Sequence, residues 1–203
     1  MADMKQPMKG LMAASALALL APAFVQAHFT LMEPASWLVE NRLGDPQKLG
    51  PCGGTSADAG MPTNAIGNVQ GNSKLHVKLM ETVFHPGHYR IALAVNRADL
   101  PADPDVVTRD SERGPWSVSA AIAAPKAPVL ADGLFVHTTK PADPFETEIQ
   151  LPNISCRKCT LQIVQFMAEH GYNKDGGYYY HHCADLQITA DASKPIDTRW
   201  IKK

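Results

Sequence analysis

The sequence carries no surplus of charge. Lys and Arg number 19 against 20 Asp and Glu, a net charge of −1. A nucleic-acid binder normally shows a basic field, so this balance argues against one. No run of Lys or Arg points to an anionic lipid surface. After the first segment, no stretch approaches the ~18 uninterrupted apolar residues of a membrane helix. No capped helix is legible beyond His28, and no internal repeat.

What is there begins with a leader. Lys5 and Lys9 flank the start of an apolar, Ala-rich run over 11–25. It is too short and too weakly flanked to span a bilayer, and it reads as a secretory signal peptide. Val25 and Ala27 stand at the two positions that a signal peptidase reads. We therefore expect residues 1–27 to be removed; a cut after Ala23 is the alternative. The product would be secreted or periplasmic, with no membrane partner. The chain from His28 onward suits one domain with a real core. It divides into a domain over 28–190 and a C-terminal tail over 191–203.

Four cysteines follow the leader: Cys52, Cys156, Cys159 and Cys183. An even number in an exported chain suggests disulfides. Cys156-Arg157-Lys158-Cys159 lacks the strand-turn-helix setting of a thioredoxin-like pair, and a zinc site of four thiolates suits an oxidising compartment poorly. Three pairings are possible. We favour Cys52–Cys183 as a long staple and Cys156–Cys159 as a local bridge.

Periodicity indicates strands. Residues 28–34 alternate briefly and meet a proline. Residues 36–71 form a long loop rich in Gly, Pro, Asn and Asp, and a loop of that length is usually functional or pinned. Strand signals follow over 74–79, 89–95, 116–122, 134–137, 145–151, 159–167 and 178–189, with a polar loop over 97–114. Short strands with long connections predict an all-β, antiparallel sandwich of immunoglobulin or fibronectin type.

Eight histidines are present. His28 would open the processed chain and so offer a metal two nitrogens, an α-amine and an imidazole. One further imidazole opposite would complete a T of three nitrogens, an array that suits Cu(II). The α-amine has a reference pKa of about 7.7–8.0, so a metal displaces its proton readily. His85-Pro86-Gly87-His88 precedes a strand, at a sheet rim where sandwiches build sites. His76 and His137, at polar positions of strand-like segments, read as solvated.

Three landmarks carry a resemblance: His28-Phe29-Thr30-Leu31, His85-Pro86-Gly87-His88-Tyr89-Arg90, and Tyr180-His181-His182-Cys183-Ala184-Asp185. In this order they resemble the lytic polysaccharide monooxygenases and their copper-binding relatives, more narrowly a bacterial single-domain, monooxygenase-like group. The resemblance spans most of the chain after the leader, as separated landmarks. It implies a copper histidine brace, with His28 binding through its α-nitrogen and Nδ1 and His85 through its ring. His88 is the competitor of His85. Tyr180, three residues before Cys183, would be the axial aromatic. The matching cysteine in relatives pairs with one in the long N-terminal loop, which supports Cys52–Cys183. His170 would stand where relatives place a histidine that hydrogen-bonds oxygen species, and Gln165 is a further candidate for such a role. The His181-His182 pair departs from the family pattern.

The implied activity is copper-dependent oxidative cleavage of a polysaccharide such as chitin or cellulose, by a monomer supplied by an external electron donor. The alternative is an exported, non-enzymatic protein that captures or delivers copper. Small carriers of that kind have an Asp-x-His pair near the end, which this sequence lacks. Bland readings stand beside these. The tyrosines over 178–180 have β-propensity and suit plain sheet packing. His170 could be an ordinary loop residue. Trp37 and Tyr172 could stack on sugar or simply pack, and Glu33 and Glu81 are not singled out by type or spacing.

Overall fold

The structure, a computed structural model, describes residues 27–201. Residues 1–26 of the expected signal peptide over 1–27, and the last two residues of the tail, lie outside the described residues. Ten strands form: β1 (His28–Glu33), β2 (Ile66–Gln70), β3 (Lys74–Val83), β4 (Gly87–Ala94), β5 (Val107–Arg109), β6 (Trp116–Ser119), β7 (Val129–His137), β8 (Phe145–Gln150), β9 (Cys156–Met167) and β10 (Tyr179–Thr189). Among the described residues there is no α-helix, only two single 3₁₀ turns. No helix there is long and apolar enough to cross a membrane.

The expected all-β sandwich is what forms. One sheet has the order β1-β3-β8, the other β2-β10-β9-β4-β7, and β5-β6 make a small separate hairpin. Pairing is antiparallel except that β2 runs parallel to β10. The sequence hid β2 inside the long loop. Its Ile-Gly-Asn-Val-Gln offers too little apolar alternation to stand out, and it docks as a sheet edge with no fully buried residue. The hairpin strand β5 was hidden for the same reason, being exposed throughout.

The core lies between the sheets. Tyr89, Ile91 and Leu93 of β4, Leu161, Ile163 and Met167 of β9, and Tyr180, Ala184 and Leu186 of β10 face Phe29, Leu31, Leu75, Val77, Leu79 and Ile149. Burying each large apolar side chain contributes roughly 1.5–3 kcal/mol. The other face of β4, β9 and β10 is buried too, because the long loops wrap it. Trp37 N–H donates to Cys183 O (2.9 Å) and Gln162 Nε2 to Pro51 O (2.9 Å), while Tyr179 Oη reaches Pro104 O (2.9 Å). Residues on both faces of 159–167 are therefore buried, including the polar Thr160, Gln162 and Gln165.

Both favoured disulfides are present, Cys52–Cys183 and Cys156–Cys159. The first ties the long loop to β10 across a sequence separation of 131. Residues 191–201 fold back on the domain. Asn153 Nδ2 donates to the carbonyls of Asp191, Lys194 and Pro195, and Trp200 Nε1 donates to Leu93 O (3.0 Å).

Candidate functional site

One end of the sandwich gathers the residues singled out by sequence. The register sets His28 of β1 opposite Val83 of β3, two residues before His85. Gly87 pairs with Met167 at the end of β9, three residues before His170. Tyr180 pairs with Gln165, which pairs in turn with Tyr89. Strand ends from both sheets therefore converge here.

His28 is clamped by the long loop. Its Nε2 lies 3.2 Å from Asp45 Oδ2, and the Phe29 N–H donates to Gln47 Oε1 (3.1 Å). The hydrogen bond from His28 is the largest cause holding the Asp45 carboxyl below its ordinary value. Gly44 lets this loop approach. It has a φ of +96°, and a Cβ there would overlap the Phe29 carbonyl. The Tyr180 ring stands 5.1 Å from the His28 ring, centroid to centroid. Burial, and then the Asp45 charge, push the Tyr180 phenol well up, so it stays protonated.

His85 is presented by a turn between β3 and β4. Its Nδ1 faces Pro86 O at 3.4 Å, and its backbone N–H donates to Glu81 Oε1 (3.2 Å). Burial, with nearby His170 adding to it, lowers the His85 pKa to about 4. The ring is therefore neutral near pH 7, the form that binds metals. Gly87 is needed here because a Cβ would overlap the Phe166 carbonyl where β4 meets β9.

His170 stands beside His85, with ring centroids 4.7 Å apart. Its Nδ1 contacts Gly171 O, and its N–H donates to Ser117 Oγ (3.1 Å) in the β5–β6 hairpin. Gln165 is fully buried between the sheets and donates from Nε2 to Glu81 Oε1 (2.7 Å). The five named residues thus form two ring pairs, His28–Tyr180 and His85–His170, with Gln165 on the strand beside Tyr180.

The other histidines go elsewhere. His88 lies on the outer face against Phe166, with Nδ1 3.5 Å from Asp132. His181 also faces outward, onto Asp103 (2.9 Å). His182 faces inward, stacked edge-on against Phe29 with Nε2 on Phe29 O (3.0 Å). His76 is bridged between Glu33 and Glu146 at the surface. His137 departs from the solvated reading. Its side chain is 8% exposed and meets Glu81. Gly133 and Phe135, both at positive φ, break the alternation of β7 and turn the ring inward.

Sequence reasoning passed over Asp45 and did not single out Glu81. A signal existed for Glu81: it continues the inward parity of Leu75, Val77 and Leu79. Asp45 carries no such signal, since its contact depends on how the loop folds. Among the described residues no three or more His, Cys, Asp or Glu side chains gather to hold a metal. Comparison with models of protein families finds no match, and comparison with curated proteins finds none either.

Proposed function

We propose that the processed chain binds copper through a histidine brace and uses it for oxidative cleavage of a polysaccharide. The observation that carries this reading is the pairing of each histidine with an acceptor at one ring nitrogen, His28 Nε2 with Asp45 and His85 Nδ1 with Pro86 O. Metal-binding histidines are held in this way, the second nitrogen fixing tautomer and orientation. Nδ1 of His28 and a free α-amine would then be the two donors of a six-membered chelate. Nε2 of His85 would be that residue's donor, with the ring's further backbone hydrogen bond to Ala168 giving way. A brace draws only two side chains into the ligand set, its third nitrogen being the amine, so the lack of a three-side-chain cluster is in keeping with it.

Bound copper would supply activation of O₂ or H₂O₂ for attack on a C–H bond at the glycosidic linkage. The chain's own work is local. Asp45 orients His28, the Tyr180 ring would cover one side of a bound ion, and burial keeps His85 unprotonated. His170, beside His85, is the candidate to hydrogen-bond an oxygen species near the reacting centre.

A second reading, export as a copper carrier without catalysis, is favoured by one observation. His28, His85 and Tyr180 are 4%, 6% and 0% exposed, whereas a polysaccharide needs an open face. One experiment separates the two. The chain with native processing is loaded with copper, reduced, and offered chitin, cellulose and soluble glucans. Oxidised oligosaccharides are expected by mass spectrometry. Tight copper binding with no oxidised product from any of them removes the enzyme reading and leaves the carrier.

A further inference from the structure

Glu81 occupies an unusual place for a carboxylate. It lies on the inward side of β3, 4% exposed, between the two sheets. Burying a charge there costs several kcal/mol unless partners compensate. Three donors converge on one of its oxygens. Oε1 accepts from the His85 backbone N–H (3.2 Å) and Gln165 Nε2 (2.7 Å), and lies 3.2 Å from His137 Nε2. Oε2 has no hydrogen-bond partner among the described residues.

The partners come from three directions. His85 closes the turn four residues after Glu81, Gln165 reaches across from the opposite sheet, and His137 comes from the end of β7. His137 also sets Nδ1 2.7 Å from Phe135 O, so both ring nitrogens face acceptors. The ring is thereby held between Phe135 O and Glu81. Its plane lies 17° from that of Tyr89, which limits how it can turn. One carboxylate oxygen thus ties the His85 backbone to the strand that neighbours Tyr180.

We propose that Glu81, gripped by His137 and Gln165, is a positioning residue that fixes the His85 turn and thereby sets the strength and geometry of copper binding. The inference rests on the reading of His28 and His85 as copper ligands. It differs from a plain structural ion pair in what it demands of side-chain length. All three partners use Oε1, so an amide oxygen of the same reach suffices, and the amide nitrogen falls where Oε2 has no partner. A shorter carboxylate keeps the charge and withdraws the acceptor.

The test compares E81Q, E81D and H85A, all natively processed. Cu(II) affinity is measured by chelator competition, the copper environment by electron paramagnetic resonance (EPR), and the metal-free fold by thermal melting. E81Q is expected to bind copper within about threefold of the parent, with the parent's spectrum. E81D is expected to bind ~10–100-fold more weakly with an altered spectrum, the usual cost of losing a residue that orients a ligand. Unchanged affinity and spectrum in E81D, with only the melt shifted, overturn the proposal and leave a structural ion pair. Weakened E81Q beside unaltered E81D also overturns it, since charge and not reach would then matter. Where E81D does not fold, H137Q takes its place; roughly threefold or greater weakening with a changed spectrum is expected, and parental behaviour overturns the proposal. H85A reads the brace itself. Parental copper affinity in H85A sinks the copper-ligand reading and this inference with it, whereas loss in H85A with parental E81D sinks this inference alone.

Discussion

At the scale of residues, the site end is built from imidazoles held neutral or paired. His85 and His182 are both lowered from 6.5 to about 4, chiefly by burial. Between those values the unfolded chain takes up protons that the folded chain refuses, so stability falls as pH drops from about 6.5 to about 4. Glu40, raised from 4.5 to about 7 by burial, works in the opposite sense. It keeps a proton in the fold that the unfolded chain loses, so its contribution declines as pH rises through that window. Two histidines outweigh one glutamate. Glu40 Oε1 lies 3.1 Å from His182 Nδ1, so the opposed shifts of these two largely offset within the pair and His85 decides the sign: stability falls toward pH 4. Urea titration of the metal-free chain should show a lower midpoint at pH 4 than at pH 7; an equal or higher midpoint contradicts the assignment.

The same scale shows what could be read from the sequence. His28, His85, His170 and Tyr180 are identifiable because their types sit at strand ends in a chain with few other reasons to keep them there. Gln165 and Glu81 occupy inward positions in runs whose neighbours are apolar, and a polar residue at such parity is itself a signal. Asp45 and His137 were not readable. One depends on the path of a long loop, the other on two positive-φ residues that reverse a strand's alternation.

At the scale of elements, alternation located eight of the ten strands. It failed at β2 and β5, whose pairing is dictated by neighbours and not by their own composition. The long loop matters most for the candidate site because it delivers Asp45 to His28 and is anchored seven residues later by Cys52–Cys183. A cross-link over so long a separation restricts the unfolded chain strongly; its removal typically costs about 2–5 kcal/mol. We expect C52A/C183A to lose stability in that range in denaturant titrations. We also expect weaker Cu(II) binding, because the Asp45 clamp loosens with the loop. A variant equal to the parent in both would show that the loop is held by its backbone hydrogen bonds alone.

At the scale of the whole molecule, the sandwich brings the N-terminal strand and the last core strand to one end, so that residues some 150 positions apart share a site, as the His182 contact with Phe29 O illustrates at a separation of 153. On the proposed reading, processing is part of the chemistry. Ala27 is buried with the core cluster, and while it remains attached His28 offers a peptide N–H in place of an amine. The most direct measurement is therefore a Cu(II) titration, followed by EPR, of two forms of the chain: one beginning at His28 and one retaining Ala27. The form beginning at His28 should bind copper tightly with a spectrum of nitrogen ligands that include the amine, and the Ala27 form should lose most of that affinity. Equal affinity and identical spectra in the two would contradict the brace.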